Sequence, residues 1–259
     1  MQDAPSQFAV YPSLKDRAVL ITGGASGIGA SLVTQFARQG SRVAFLDIQN
    51  EPAQQLVGNL AADGCPSPLY LQCDLTDVAL LRSAADRALA TLGTVDVLVN
   101  NAGNDRRHPI DEVTPEFWDR SIATNLRPYF FMAQAVIPAM RSAGRGSIIN
   151  MSSIAWIIPN KGMPVYVTAK AAIVGLTRTL AHDLGPSGIR VNAVLPGAIA
   201  TERQKRLWYT PEYEAEIFAG QALKRQIEPD EVARLVLFLA ADDSGAITNQ
   251  SYIIDAGWV

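Results

Sequence analysis

From residue 17 almost to the end of the chain, short apolar or β-branched runs alternate with longer stretches whose apolar residues recur three and four positions apart. That alternation limits the fold more than any other feature, because the short runs suit strands and the longer period suits helices with one buried stripe. Strands are expected at 18–22, 42–47, 68–73, 95–100, 147–152, 190–195 and 251–254, and helices at 27–39, 52–62, 78–92, 115–140, 166–184 and 229–241. Runs such as Val95-Asp96-Val97-Leu98-Val99 are apolar along nearly their whole length, which suits a parallel sheet covered on both faces. The sequence therefore predicts an α/β fold. It is a single Rossmann-type, doubly wound domain over residues 14–259, with a seven-stranded parallel sheet, helices on both faces and a ligand beyond the carboxyl ends of the strands. Residues 1–13 read as an N-terminal extension. The stretch 198–226 breaks the rhythm with polar, charged and aromatic side chains and reads as a lid over the site, although a packed pair of surface helices would have the same composition.

With 48% hydrophobic residues over 259 positions the chain can bury a full core, and no Pro/Gly/Ser-rich linker divides it. A formal net charge of −3 and scattered arginines leave no basic stripe for a nucleic-acid backbone. The first residues are polar and acidic where a secretory signal is basic and then apolar, and no run approaches the roughly 18 apolar residues that span a bilayer. A soluble, cytoplasmic protein without nucleic-acid or membrane partners is expected. Cys65 and Cys73 form neither a disulfide framework nor a zinc ligand set, and are expected to be buried free thiols. His108 and His182 are too few and too separated for a histidine metal site, so no metal is expected; a surface role fits His182.

The segment Thr22-Gly23-Gly24-Ala25-Ser26-Gly27-Ile28-Gly29 follows an expected strand and opens an expected helix, the context in which a glycine loop cradles phosphates. Gly23 permits the tight turn, Gly27 lets backbone approach a pyrophosphate, and Gly29 allows close helix contact, while the helix N-terminus supplies amides and partial positive charge. Ser26 and Ile28 belong to the same site. Asp47 closes the second strand eighteen residues after Gly29, where it can accept from the adenosine ribose hydroxyls and repel a 2′-phosphate. Neither Ser26 nor Ile48 beside it is basic, which favours NAD over NADP. Asp74 is placed to bond the adenine amino group with Leu75 as its backbone partner; a helix N-cap would equally explain an aspartate there.

Tyr166 and Lys170 stand four residues apart, one helical turn on one face, and thirteen residues after Ser153. A cation beside the phenol favours the phenolate and lets Tyr166 act as a base nearer neutral pH than its ordinary value of about 10. With NAD accepting hydride, Ser153 holds the substrate oxygen beside Tyr166, which takes the hydroxyl proton, and Lys170 holds the phenolate and a ribose hydroxyl together.

These residues, with Asn100-Asn101-Ala102-Gly103, Asn125 and Pro196-Gly197, resemble the short-chain dehydrogenase/reductase family from residue 14 onward. The resemblance implies that Asn125, Ser153, Tyr166 and Lys170 form a proton-relay tetrad, with Ser153 chosen over Ser152 by the family spacing to the tyrosine. It implies that Asn101, Ala102 and Gly103 line the adenosine side, that Pro196 and Gly197 belong to the cofactor site, and that Ile199 and Thr201 meet the carboxamide and pyrophosphate. A homotetramer is implied too, with the helices from Pro115 and Tyr166 pairing across one two-fold axis and the final strand and tail across another. On residue grounds alone Asn125 is a residue within a long helix, exposed or holding a water beside Lys170.

The segments 101–108, 153–156, 206–211 and 255–258 look like a narrower branch, the bacterial NAD-dependent aldose 1-dehydrogenases. A sugar offers many hydroxyls and an apolar C–H face, and so wants amide, charged and aromatic groups together. Asn104, Trp156, Asn160 and Tyr209, with Ser153 and Tyr166, are the expected sugar-binding residues; packing within the lid is the alternative for Tyr209. The expected reaction is NAD-dependent oxidation of the anomeric carbon of a pentose (L-arabinose, D-xylose) or a 6-deoxyhexose (L-fucose) to the lactone. A 3-oxoacyl or small-ketone oxidoreductase and a non-catalytic dinucleotide-binding protein are the rival readings.

Overall fold

Parallel neighbours cannot be joined by tight turns, so each strand of this chain is carried back by a helix or a longer excursion before the next begins. The computed structural model describes residues 8–259; the first half of the expected N-terminal extension, 1–7, lies outside the described residues. Strands β1 (Ala18–Thr22), β2 (Arg42–Asp47), β3 (Leu69–Gln72), β4 (Val97–Asn100), β5 (Gly146–Met151), β6 (Ile189–Pro196) and β7 (Ser251–Ile254) form one sheet in the order β3-β2-β1-β4-β5-β6-β7. Every neighbouring pair is parallel. The third and fourth strands are shorter at their ends than the apolar runs suggest. Val95 and Asp96 precede the ladder, with Asp96 N donating to Ala18 O.

Alternation along each strand sorts the core into two halves. Val19, Ile21, Val97 and Val99 face helices α1 (Gly27–Arg38), α2 (Asn50–Ala62) and α9 (Pro229–Ala240). Ala18, Leu20 and Leu98 face α3 (Val78–Leu92), α5 (Arg127–Ala143) and α6 (Pro164–Leu184). The result is the three-layer, doubly wound α/β architecture that the near-continuous apolar runs require.

The uninterrupted helix expected over 115–140 does not form. It is divided into α4 (Pro115–Asn125) and α5 by Leu126, at φ −131° and ψ −51°, and Pro128 stands in the first turn of α5. Proline lacks the N–H that a continuous helix would use and its ring crowds the preceding turn, whereas at a helix start that N–H is unneeded. The break places Asn125 at a helix end, buried, instead of on a helix surface.

Residues 198–226 fold as two helices, α7 (Glu202–Leu207) and α8 (Pro211–Gly220), each started by a threonine whose hydroxyl accepts a first-turn amide: Thr201 from Gln204, Thr210 from Tyr213. The two ends of this excursion are tied together by a parallel bridge between Ile199 and Ile227, with Ala200 N donating to Ile227 O at 2.9 Å. Among the described residues no helix is long and apolar enough to cross a membrane. Cys73 is buried as expected, but Cys65 is only half-buried, and both thiols are free.

Leu98 is fully buried in β4 at the centre of the sheet. Leu98→Ala should lower the unfolding free energy by about 2–5 kcal/mol through lost burial and the cavity it leaves. Urea denaturation should show this as a lower midpoint with an unchanged slope.

Candidate active site

Crossovers leave β1 and β4 in opposite directions, so the loops at the carboxyl ends of these neighbouring strands diverge and leave a crevice. A cleft of about 1060 Å³ opens there. Its walls include Gly23, Ser26, Gly27 and Ile28 after β1, Asp47 at the end of β2, and Asp74 and Leu75 after β3. They also include Asn101, Ala102 and Gly103 after β4, Ser153 after β5, Tyr166 and Lys170 on α6, and Pro196, Gly197, Ile199 and Thr201 after β6.

The start of α1 is pressed against the end of β1. A Cβ built on Gly29 would stand 1.7 Å from the Gly23 carbonyl oxygen, so only glycine allows this approach. Ser26, the N-cap of α1, is extended and makes no side-chain cap hydrogen bond, which leaves the first-turn amides open to an anion in the cleft. Asp47 is buried and braces the loop: one carboxylate oxygen accepts from Ala25 N and the other from Gln49 N, each at 2.9 Å. Beside it Ile48 is exposed and Gln49 donates to the Ser26 hydroxyl at 3.2 Å, so no cation faces this corner from these positions. Asp74 is not a helix cap. Its carboxylate accepts from Thr76 N and Oγ1, and Asp77 caps α3 instead, accepting from Ala79 and Leu80 amides. These features fit a dinucleotide: free amides for phosphate, a carboxylate for ribose, and a cleft long enough to reach Tyr166.

Tyr166 and Lys170 share one face of α6, and Ser153 reaches them from the end of β5. The Ser153 hydroxyl, which accepts from Ala155 N at 3.1 Å, is a polar neighbour of the Tyr166 phenol that favours its ionised form. The Ser152 hydroxyl turns away and donates to the Lys170 carbonyl at 2.7 Å, so the two adjacent serines have different tasks. Lys170 is only 3% exposed, and its Nζ donates to the Met151 carbonyl at 2.8 Å and the Tyr129 hydroxyl at 3.1 Å. It stands 5.6 Å from the centre of the Tyr166 ring. Asn125 lies behind the cleft wall. A Cβ on Gly103 would stand 3.3 Å from both Asn125 Oδ1 and Lys170 Nζ, so this glycine leaves open the space between them. Asn125 Oδ1 accepts from Asn104 N at 2.7 Å and Nδ2 donates to Ser121 O at 3.0 Å.

Proximity of the ammonium does not by itself prepare a phenolate here. Burial raises the Tyr166 phenol above the ordinary tyrosine value and the charge of Asp105 adds to this, while the Ser153 hydroxyl works the other way. Burial also brings Lys170 down to about 7, opposed by Asp105. With the protein alone, desolvation disfavours the charged form of both groups.

Of the expected sugar-binding residues, Asn104 and Asn160 line the cleft and Trp156 and Tyr209 do not. Trp156 ends a short 3-10 turn and is 37% exposed outside the wall. Tyr209 packs edge-on against Tyr213 with ring centres 5.9 Å apart, and its hydroxyl is buried without a partner; it supports Tyr213, which does line the cleft. Unforeseen wall residues are Asp105, Arg107, Arg203, Gln204 and Trp258. The Arg107 guanidinium lies 4.4 Å from the Trp208 ring centre and 5.0 Å from that of Tyr213. Asp105 accepts from Arg203 Nη2 at 3.1 Å and from Gln204, and Asn104 Oδ1 accepts from Arg203 Nη2 at 3.0 Å. The loop after β4 and helix α7 are thereby joined across the mouth of the cleft. Sequence spacing gave no sign of this link, since its two halves lie 98 or 99 positions apart.

The family model described as enoyl-(acyl carrier protein) reductase matches residues 23–259. The chain is 53% identical over 247 residues to a probable galactose dehydrogenase of Rhizobium meliloti, covering 95% of this chain and 96% of the relative. It is 51% identical over 250 residues to the D-xylose 1-dehydrogenase of Caulobacter vibrioides, covering 96% and 98%. Among solved structures, a 3-oxoacyl-(acyl-carrier protein) reductase with bound NAD from Brucella melitensis superposes with a TM-score of 0.89 at 33% identity, covering 100% of this chain and 97% of that one.

Gly29→Ala tests the junction between β1 and α1. The methyl should force loop and helix apart at a cost of about 1–3 kcal/mol. Thermal melting should fall, and calorimetric titration should show dinucleotide affinity reduced by about tenfold or more.

Proposed function

Because the chain belongs to the short-chain dehydrogenase/reductase family, we propose that it oxidises the anomeric carbon of an aldose to the lactone with NAD as the hydride acceptor. It is a dehydrogenase acting on a CH–OH group. The observation that carries the sugar reading is the cleft wall around Tyr166, where Asn104, Asn160, Asp105, Arg107, Tyr213 and Trp258 bring amide, charged and aromatic side chains together. A pentose or hexose wants such a mixture, and a steroid or acyl chain wants aliphatic walls. Relatives named for galactose and D-xylose support the same substrate class. Pentoses such as L-arabinose and D-xylose and 6-deoxyhexoses such as L-fucose are the substrates to try, with galactose beside them.

When bound, the dinucleotide supplies the hydride acceptor and, in its oxidised form, a positive charge that favours the Tyr166 phenolate against burial. The open amides at the start of α1 would hold the pyrophosphate, aided by Thr201, and Ile199 would meet the carboxamide. Asp47 would accept from the ribose hydroxyls and oppose a 2′-phosphate, while Asp74 and Leu75 would hold the adenine and Asn101, Ala102 and Gly103 would line the adenosine side. Ser153 orients the substrate hydroxyl toward Tyr166, Lys170 stabilises the Tyr166 phenolate, and that phenolate takes the hydroxyl proton and becomes neutral as the carbinol carbon gives up its hydride. Asn125, behind Gly103, completes the relay toward solvent. Helices α7 and α8 act as the lid, held down by the contacts of Asp105 and Asn104 with Arg203 and Gln204.

The proposed assembly is a cytoplasmic homotetramer. Exposed Trp118 on α4, Phe130 on α5 and Ile253 on β7 place apolar side chains on the two faces that would pair.

Tyr166→Phe should cut turnover by about 100- to 10,000-fold, the usual worth of a positioned acid or base, while calorimetric NAD affinity stays near that of the wild type. An NADH-formation panel over aldoses, a steroid alcohol and a 3-hydroxyacyl thioester should show activity only with aldoses; turnover of the steroid or acyl compound alone rejects the sugar reading. Asp47→Ala should raise the ratio of kcat/KM for NADP to that for NAD by about tenfold or more through loss of like-charge repulsion, and an unmoved ratio would remove Asp47 as the selector.

A further inference from the structure

Tyr129 is 1% exposed on α5 and carries a hydroxyl that a residue filling core space does not need. That hydroxyl lies 3.0 Å from the Met151 carbonyl, 3.2 Å from the Ala102 carbonyl and 3.1 Å from Lys170 Nζ. A phenol has one proton to give, and both neighbouring carbonyls can only accept. The proton is therefore directed to the backbone, and an oxygen lone pair is left for the ammonium. Lys170 places a second of its three donors on the Met151 carbonyl at 2.8 Å, which leaves one for the cleft side. The ammonium also stands between two phenol rings, 5.2 Å from the centre of Tyr129 and 5.6 Å from that of Tyr166, where the ring faces favour a cation.

We propose that Tyr129 is a positioning residue for the oxidation, its hydroxyl accepting from Lys170 so that the buried ammonium keeps both its place beneath Tyr166 and its charge. The inference rests on the reading of Ser153, Tyr166 and Lys170 as the reacting cluster. The groups facing Lys170 Nζ are few: Tyr129 from α5, Tyr166 from its own helix, Asp105 from the loop after β4, Asn125 Oδ1 across Gly103 and the Met151 carbonyl from β5. Of these only Asp105 bears a full charge, and it is engaged with Arg203 and Gln204. Tyr129 itself is no rival base, because burial and the neighbouring Tyr166 raise its phenol well above the ordinary value.

Removing the hydroxyl takes an acceptor from the cation, so Lys170 loses its proton at lower pH. Tyr166 then loses part of its cationic support and ionises at higher pH. The acid-side limb of kcat/KM against pH for sugar oxidation must move upward.

The test is Tyr129→Phe, assayed with saturating NAD and the preferred aldose across the neutral to alkaline range, with pH-dependent acetylation of the Lys170 amine followed by mass spectrometry. The acid limb should rise by about one pH unit, the scale of one charge-assisted hydrogen bond, and half-maximal Lys170 labelling should move to lower pH. Both curves unmoved in a folded variant overturn the proposal, even if stability or kcat falls. Should that variant not fold, the same curves on Tyr129→Leu decide in the same way. Tyr166→Phe run alongside separates the two claims: full turnover in it defeats the proposed chemistry, whereas its inactivity beside unmoved Tyr129→Phe curves defeats only the role of Tyr129.

Discussion

A lysine ammonium held almost out of water is the constraint around which this site is organised. Removing such a charge from solvent is costly unless its donors are met, and here they are met by the carbonyl of Met151 at the end of β5 and by a phenol from α5. One side chain of α6 thereby ties a second helix and the central sheet to a single point. The opposing demands are visible in the titration of the pair: burial pushes the phenol up and the amine down to about 7, so burial works against the charge that the amine's partners support.

The architecture was legible because it follows from period. A run such as 95–99 that is apolar along nearly its whole length can only lie between two layers, and the three-and-four spacing of α1 and α9 supplied one of them and that of α3 and α5 the other. Where the reading failed, a local signal had been outweighed by periodicity. Pro128 marks the division between α4 and α5, yet the apolar pattern runs through it unbroken, and Pro138 sits inside α5 without ending it. A proline near a helical pattern therefore tells of a start or a strain, and only the backbone decides which.

That the residues expected at a dinucleotide would meet in one cleft was readable for a similar reason. Its parts are backbone turns and short loops fixed at strand ends, so position in sequence translates directly into position in space. The substrate side was not. Trp156 and Tyr209 have the chemical type a sugar wants, but chemical type does not say which way a ring on an irregular segment faces, and Tyr209 lies behind Tyr213. Asp105 and Arg203 meet across nearly a hundred residues, and Tyr129 was hidden among the apolar residues of a core helix. Such partners share no motif.

The bridge between Ile199 and Ile227 has an evolutionary consequence. It makes the intervening helices a stapled cassette whose entry and exit stay fixed whatever lies between them. Even doubling the length of such a loop adds only about 0.6 kcal/mol of closure entropy. Insertions and recombination there can therefore reshape that wall of the cleft while Ser153, Tyr166 and Lys170, which lie outside the cassette, keep their places.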